Sequence, residues 1–282
     1  MSARVTHPDA VAGPALEAHG VRLAYEDRVV AEHLSLAVPP GRITAIIGAN
    51  ACGKSTLLRA LARLLAPTAG TVTLGGTDVT SIPTRRVATE LAILPQQPDA
   101  PDGVTVAELV GRGRYPHQGW FRRWTAEDDA AVVAALAATG TADVADRVVG
   151  ELSGGQRQRV WIAMTLAQQT GILLLDEPTT FLDLAHQLEV LDLLVDLNAE
   201  RGTTVVMVLH DLNLAARYAD HLVAMRAGAV VAAGSPAQVL TPQHLQEVFG
   251  LRATVMTDPV SGTPLVVPVG RHGNAVTEGA RA

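Results

Sequence analysis

The sequence predicts an α/β chain: a mainly parallel sheet flanked by helices, with an antiparallel β subdomain and an inserted α-helical subdomain. Three observations carry that expectation. Ile43 to Ile47, Ile172 to Leu175 and Thr203 to Leu209 are short apolar runs without polar alternation, the pattern of strands buried on both faces. Helical patterns separate them, as a parallel sheet requires. Between residues 97 and 150 the pattern becomes wholly helical.

The elements follow in order. Residues 1–15, with Pro8, Gly13 and Pro14, read as a flexible tail. Short strand-like pieces run from Leu16 to about Leu74. Val21 to Tyr25 and Leu34 to Val38 alternate in part, and Pro39-Pro40-Gly41 then breaks the chain. The Ile43 strand leads into a glycine-containing loop, Gly48 to Gly53. A helix is expected from about Lys54 to Ala66, with Leu57, Leu58, Leu61, Leu64 and Leu65 on its apolar side and Pro67 ending it. Gly75-Gly76 marks a turn. Pro98, Pro101 and Gly103 open a loop. Val106 to Val110 begins one helix, and Ala126 to Ala138 forms an alanine-rich second. Leu184 to Asn198 is amphipathic, with Leu188, Leu191, Leu194 and Val195 in register. Leu222 to Met225 and Ala229 to Ala233 read as a hairpin joined by Arg226-Ala227-Gly228. The layout expected is a tail at 1–15, one domain over 16–257 with a helical insert at about 97–156, and a C-terminal tail at 258–282.

Composition narrows the function classes. The chain has 282 residues, 48% of them hydrophobic, which supports a sizeable core. A formal net charge of −6 counts against a nucleic-acid binder. The one cysteine, Cys52, forms no intramolecular disulfide and fits a reducing compartment. The N-terminus has no apolar stretch of signal-peptide length, and no segment reaches the ~18 apolar residues of a membrane span. Lys54 is the single lysine among 22 basic residues. A site that needs a compact ammonium rather than a planar guanidinium would retain it.

Lys54 lies in Gly48-Ala49-Asn50-Ala51-Cys52-Gly53-Lys54-Ser55, which fits GxxxxGK[ST] between a strand and a helix. This is the phosphate-binding loop of the P-loop NTPase fold. Backbone N–H groups converge on phosphate oxygens, the helix start (Ser55, Thr56) adds its dipole, Lys54 reaches the terminal phosphates, and Ser55 offers a hydroxyl to Mg²⁺. Alanine at position 51 is expected to avoid positive φ. Cys52 reads as a small filler. A second motif, Ile172 to Glu177, ends an apolar strand in two carboxylates at the edge where ligands bind. Asp176 is a candidate to hold Mg²⁺ and Glu177 to polarise the attacking water; the bland alternative is a solvated acidic turn. A third, Leu152-Ser153-Gly154-Gly155-Gln156, places a serine and two glycines at a helix start, which is either an anion nest or a plain serine cap.

The third motif resembles the signature of ATP-binding cassette (ABC) proteins, and the order phosphate loop, signature, acidic strand is also theirs. The resemblance implies an ATPase using ATP and Mg²⁺. It implies a dimer in which Ser153, Gly154, Gly155 and Gln156 of one copy cap the nucleotide of the other. Gln96 resembles the glutamine that touches Mg²⁺ or water and senses the transporter; Gln97 is its neighbouring alternative. Asp183, in Phe181-Leu182-Asp183, would reach across the dimer. His210 resembles the switch histidine at the γ-phosphate, and Tyr25 the aromatic that stacks on adenine. The likeness runs over about Leu16 to Arg271 and is closest to cassettes of iron-siderophore importers, on Arg112 to His117, Trp161 to Met164, Asp176 to Asp183, Leu209 to Asn213 and Asp258 to Pro268. Vitamin B12 and haem importers share much of it. It implies integral membrane permease subunits as partners, indirectly an extracytoplasmic substrate-binding protein, and a peripheral place on the cytoplasmic face of the cell membrane. The basic, aromatic stretch Arg112 to Trp124 is open to nucleic-acid contact, a solvated face, or the surface beside a permease groove. Two other classes compete: a soluble, non-transport ABC ATPase, against which stand the single phosphate loop and the lack of a long heptad run, and a phosphate-loop kinase, which leaves Leu152 to Gln156 unexplained.

Overall fold

The computed structural model describes residues 15–118 and 123–270. The expected N-terminal tail up to residue 14, residues 119–122 of the basic stretch, and residues 271–282 lie outside the described residues.

The chain opens on an antiparallel sheet. β1 (Leu16–Tyr25) and β2 (Arg28–Val38) form one long hairpin, which turns through Glu26 at φ 50. β4 (Ala69–Leu74) and β5 (Thr77–Asp78) complete the order β2-β1-β4-β5. The two pieces expected at Val21 to Tyr25 and Leu34 to Val38 are parts of this hairpin. Register shifts between Ala18 and Val21 and again before Leu23 interrupt the alternation, so only part of each strand shows a period of two.

The second sheet has the order β10-β9-β3-β8-β7-β6. Its parallel members are β3 (Ile43–Gly48), β6 (Leu91–Leu94), β7 (Ile172–Asp176), β8 (Thr204–Val208) and β9 (His221–Arg226); β10 (Ala229–Gly234) pairs antiparallel with β9. Every residue of β3, β7 and β8 is buried. Alternate side chains enter two cores. Ile46, Leu174, Val206 and Val208 join a core shared with the antiparallel sheet and with α1 (Lys54–Leu61). Ala45, Ile47, Leu173, Leu175, Val205 and Met207 join the larger core under the helices. Helix α1 is shorter than expected. After Leu61 the chain tightens: Arg63 takes φ 60, and the amides of Leu64 and Leu65 both donate to the Arg59 carbonyl. Leu64 is therefore exposed rather than on the buried side.

The helical part holds α2 (Thr84–Glu90), which precedes β6, then α3 (Val106–Gly111), α4 (Ala126–Ala138) and α5 (Gly154–Ala167). Helices α3, α4 and α5 each start on a capping box: Thr105 with Glu108, Thr125 with Asp128, Ser153 with Gln156. Between α3 and α4 runs a 3-10 turn, Arg112–His117. Here the reading of a basic surface needs correction. Arg114 is 2% exposed and pairs with the equally buried Asp128, Nε to Oδ1 at 2.9 Å. Its Nη1 also donates to the Ala167 carbonyl and to Gln169, each at 2.9 Å. The pair locks the 3-10 turn against α4 and the end of α5.

The C-terminal part adds α6 (Leu184–Arg201), α7 (Leu212–Tyr218), α8 (Pro236–Val239), α9 (Pro242–Phe249), β11 (Ala253–Thr257) and β12 (Pro264–Pro268). β12 lies inside the expected tail. It pairs antiparallel with β11 and carries Val266 into the core, so the chain stays folded through Pro268. Among the described residues, no helix is long and apolar enough to cross a membrane.

The buried pair yields a stability prediction. Burial pushes the Asp128 carboxyl up, but hydrogen bonds from Arg114 and Thr125 outweigh it and hold it below the ordinary 3.8. A depressed carboxyl contributes stability above that value and loses it as pH falls through the folded one. Arg114→Met strands the Asp128 charge and is expected to cost about 3–5 kcal/mol at neutral pH. Thermal or urea melts check this, and the gap to the parent should narrow below about pH 4 as Asp128 protonates.

Candidate functional site

The site forms where the parallel strands end. Gly48 closes β3 beside the β9 backbone: a Cβ there would lie 2.3 Å from the Met225 carbonyl oxygen, so only glycine lets the loop leave the sheet. The loop then curls over the start of α1. Lys54 is buried, and its Nζ donates to the carbonyls of Gly48 at 2.9 Å and Ala49 at 3.0 Å. The expectation that Ala51 avoids positive φ is wrong. Ala51 sits at φ 59, held there by the turn despite its methyl group. Cys52 turns its side chain inward, so only its backbone faces the loop's open side.

β7 delivers the carboxylates. Asp176 is buried at the strand end, and Ser55 Oγ donates to its Oδ1 at 2.9 Å. Burial pushes the Asp176 carboxyl up, and the Glu177 charge adds to this against the Ser55 hydrogen bond and the Lys54 charge. Glu177 follows at φ 55, which swings its side chain off the strand axis. His210 Nε2 stands 2.6 Å from its Oε1, and Thr180 Oγ1 donates to its Oε2 at 3.1 Å. Burial pushes Glu177 up, but hydrogen bonds from His210, Gln96 and Thr180 hold it below its ordinary value. The carboxylate is ionised with both oxygens oriented.

Lys54, Ser55, Glu177 and His210 share one cavity of about 900 Å³; Asp176, bonded to Ser55, is not among its lining residues. Asn50, Ala51, Gly53 to Thr56, Gln96, Glu177 and His210 line it, and Tyr25 stands at its mouth, 39% exposed. Arg59 Nη1 donates to the Tyr25 hydroxyl at 3.3 Å, which steadies the ring. The volume falls in the range of small-molecule sites.

Ser153, Gly155 and Gln156 line a different cleft, with Arg159, Phe181, Asp183 and His186. Ser153 Oγ accepts from the Gln156 amide at 3.2 Å, so the plain cap is real. Gly154 is also at this helix start, with Phe181 alongside. Asp183 caps α6, accepting from the His186 amide at 3.0 Å, and its hydrogen bonds with His186 hold its carboxyl low. The signature and Asp183 thus stand apart from the phosphate loop within one chain.

Sequence reasoning missed three contributors. Thr180 orients Glu177 from a loop without periodicity. Ala227 and Gly228, read only as a turn, line the cavity. The Gly228 amide donates to the Cys52 carbonyl at 2.9 Å, and a Cβ on Gly228 would lie 2.0 Å from the Val30 carbonyl oxygen. That close approach, signalled only by a glycine in a hairpin turn, pins the phosphate loop from below.

Comparison with known proteins shows the family. The ABC transporter family model matches residues 31–180, over half of the chain. The chain is 54% identical over 266 residues to the protein named probable siderophore transport system ATP-binding protein YusV of Bacillus subtilis (strain 168), covering 94% of this chain and 97% of that one. It superposes on a chain of a metal-chelate type ABC transporter in an inward-facing conformation with TM-score 0.77 and 29% identity, covering 92% of this chain and 98% of the other. A bacterial ABC transporter cassette solved as a dimer gives TM-score 0.72 at 26% identity, covering 78% and 98%. The chain belongs to the ABC transporter family as an ATP-binding subunit.

Proposed function

We propose that this chain binds Mg·ATP in the cavity at the sheet edge and hydrolyses it, as a pair of copies, to drive ferric-siderophore import through separate permease subunits. The convergence of Lys54, Ser55, Asp176, Glu177 and His210 at the ends of three neighbouring strands carries the reading.

Each residue has a task that its position supports. The amides of the phosphate loop and the start of α1 receive the phosphate chain. Lys54 transfers its ammonium from the loop carbonyls to a phosphate oxygen. Ser55 and Asp176 are hard oxygen donors 2.9 Å apart beside that position, and Gln96 lines the same wall. They fit Mg²⁺, which takes one or two carboxylates and otherwise water and phosphate. Magnesium, when bound, offsets the charge of the phosphate oxygens. Glu177 accepts a proton from the attacking water and directs it at the γ-phosphorus. His210 stabilises the charge that develops there. Tyr25 offers its ring to the base.

The second copy follows from the separation of the two clefts. In this reading the α5 N-terminus, set in a cleft apart from its own phosphate loop, caps a nucleotide held by the partner, and Asp183 lines the same cleft. The dimeric cassette structure supports this arrangement. The siderophore cargo is supported by the high identity to the Bacillus subtilis protein and by the metal-chelate transporter's fold likeness. The likeness to transporter ATP-binding proteins supports a place on the cytoplasmic face beside permease subunits, with an extracytoplasmic binding protein supplying the cargo indirectly.

Glu177→Gln is expected to keep nucleotide binding and lower turnover about 10²–10⁴-fold, measured by phosphate release and by fluorescent-nucleotide titration. Turnover near the parent value refutes the role of Glu177. The same variant with saturating Mg·ATP is expected to run as a dimer in size-exclusion chromatography; a monomer there refutes the two-copy site. Cells lacking the chain should lose uptake of radiolabelled ferric siderophore, and uptake that persists overturns the cargo.

A further inference from the structure

His210 is nearly half exposed, on the short loop between β8 and α7. Local hydrogen bonds shape that loop. The Leu209 amide donates to the Ile46 carbonyl at 3.2 Å, and Asp211 caps α7 by accepting from the amides of Asn213 and Leu214 at 2.8 and 2.9 Å. Yet α7 has only seven residues, too few to hold a helix in place by its own bonds. Its far end is tied to α6, where the Tyr218 hydroxyl donates to Asp192 at 2.9 Å. Its near end, next to His210, is tied to the C-terminal hairpin.

That tie is specific. The Val266 amide donates to Asn213 Oδ1 at 2.7 Å, and Asn213 Nδ2 donates to the Val266 carbonyl at 3.3 Å. The Asn213 amide thus pairs with both polar groups of one residue, as a neighbouring strand would. Val266 is 4% exposed and belongs to the larger core, and Val255 opposite it packs against that core. The loop joining the two strands is closed by Asp258, which accepts from the Val260 amide and the Ser261 hydroxyl, each at 2.8 Å. A two-stranded hairpin is marginal alone; this one is seated in the core and holds α7.

We propose that Asn213 is a positioning residue for His210. By pairing with Val266 it hangs the first turn of α7 on the C-terminal hairpin and so sets where His210 meets Glu177. The segment from Ala253 to Pro268 is then a brace for the hydrolytic site. The proposal rests on the hydrolytic reading above.

The test is a kinetic cycle on the full-length chain. Asn213→Ala is expected to lower kcat for ATP about tenfold, because small misplacements of a reacting group are costly. Its KM should stay within about twofold, since Asn213 does not line the nucleotide cavity. Asn213→Asp keeps the acceptor for the Val266 amide but sets a carboxylate oxygen against the Val266 carbonyl, and should recover only part of the loss. In a His210→Ala background, Asn213→Ala should cost less than about twofold, because a residue acting only through His210 has nothing left to position. An equal loss in both backgrounds overturns the proposal, as does a lowered melting temperature with kcat unchanged. Glu177→Gln run alongside separates the two levels. If that variant is inactive and the cycle is additive, only the brace fails; if it turns over normally, the hydrolytic reading fails with it.

Discussion

The constraint behind this structure is the burial of parallel strands on both faces. β3, β7 and β8 have no exposed residue, so their backbone groups must be satisfied within the ladder and their side chains must serve two cores at once. Parallel neighbours also end on the same edge. Gly48, Asp176 and Val208 therefore arrive together, and the residues after them form one rim. The polar groups of the site stand on that rim because it is the first place along each strand where a charge is not enclosed by two apolar layers. Topology brings the phosphate loop, the carboxylates and His210 together before any of them contacts another.

Some of the chain's backbone strain falls in the loops beyond this rim. Ala51, Glu177 and Phe181 all take positive φ without being glycine. Each costs of the order of 1–2 kcal/mol. At Ala51 and Glu177 the strain is tolerated because the turns that carry them leave β3 and β7, which cannot shift without breaking two cores. Charge is handled the same way. Lys54 is buried, yet two carbonyls of its own loop receive its ammonium. A guanidinium is planar and forked, and the space beneath the loop is closed by Met225 and Cys52 at Gly48. A compact ammonium suits that pair of carbonyls, which is in keeping with lysine at this position in a chain otherwise rich in arginine.

What was legible in the sequence follows from these causes. Ile172 to Leu175 and Thr203 to Leu209 could be read because two-sided burial leaves an unbroken apolar run. Gly48 to Ser55, Asp176 with Glu177, and Ser153 to Gln156 could be read because their chemistry is local and its spacing is rigid. The β1–β2 hairpin was half visible, since its bulges break the period of two. The C-terminal hairpin was misread as a tail because Pro264, Pro268 and Gly262 dominate its composition. Those prolines flank a strand instead, at positions where a missing amide costs little. Ala51 shows the limit of residue preference, because a penalty of one methyl group yields to a turn fixed at both ends. Gly228 was read only as a turn, and Thr180 and Asn213 only as parts of segments that carry the likeness; their contacts were not legible. Each matters through one partner, and two of those partners, Val30 for Gly228 and Val266 for Asn213, are far away in sequence.

The same hydrogen bonds explain how such a site selects a triphosphate on the proposed reading. Lys54 is paired with loop carbonyls, Ser55 with Asp176, and Glu177 with His210 and Thr180. A ligand that enters must exchange existing bonds rather than rescue bare charges, so a weak anion gains little. Only a ligand that engages the lysine, the loop amides and the serine together recovers what it displaces, and charge-assisted bonds to phosphate are stronger than the neutral ones lost. The signature helix obeys the same rule from its own cleft, since its first turn already has the Ser153 cap. On that reading, one nucleotide held between two copies of the chain would engage both sets of groups at once.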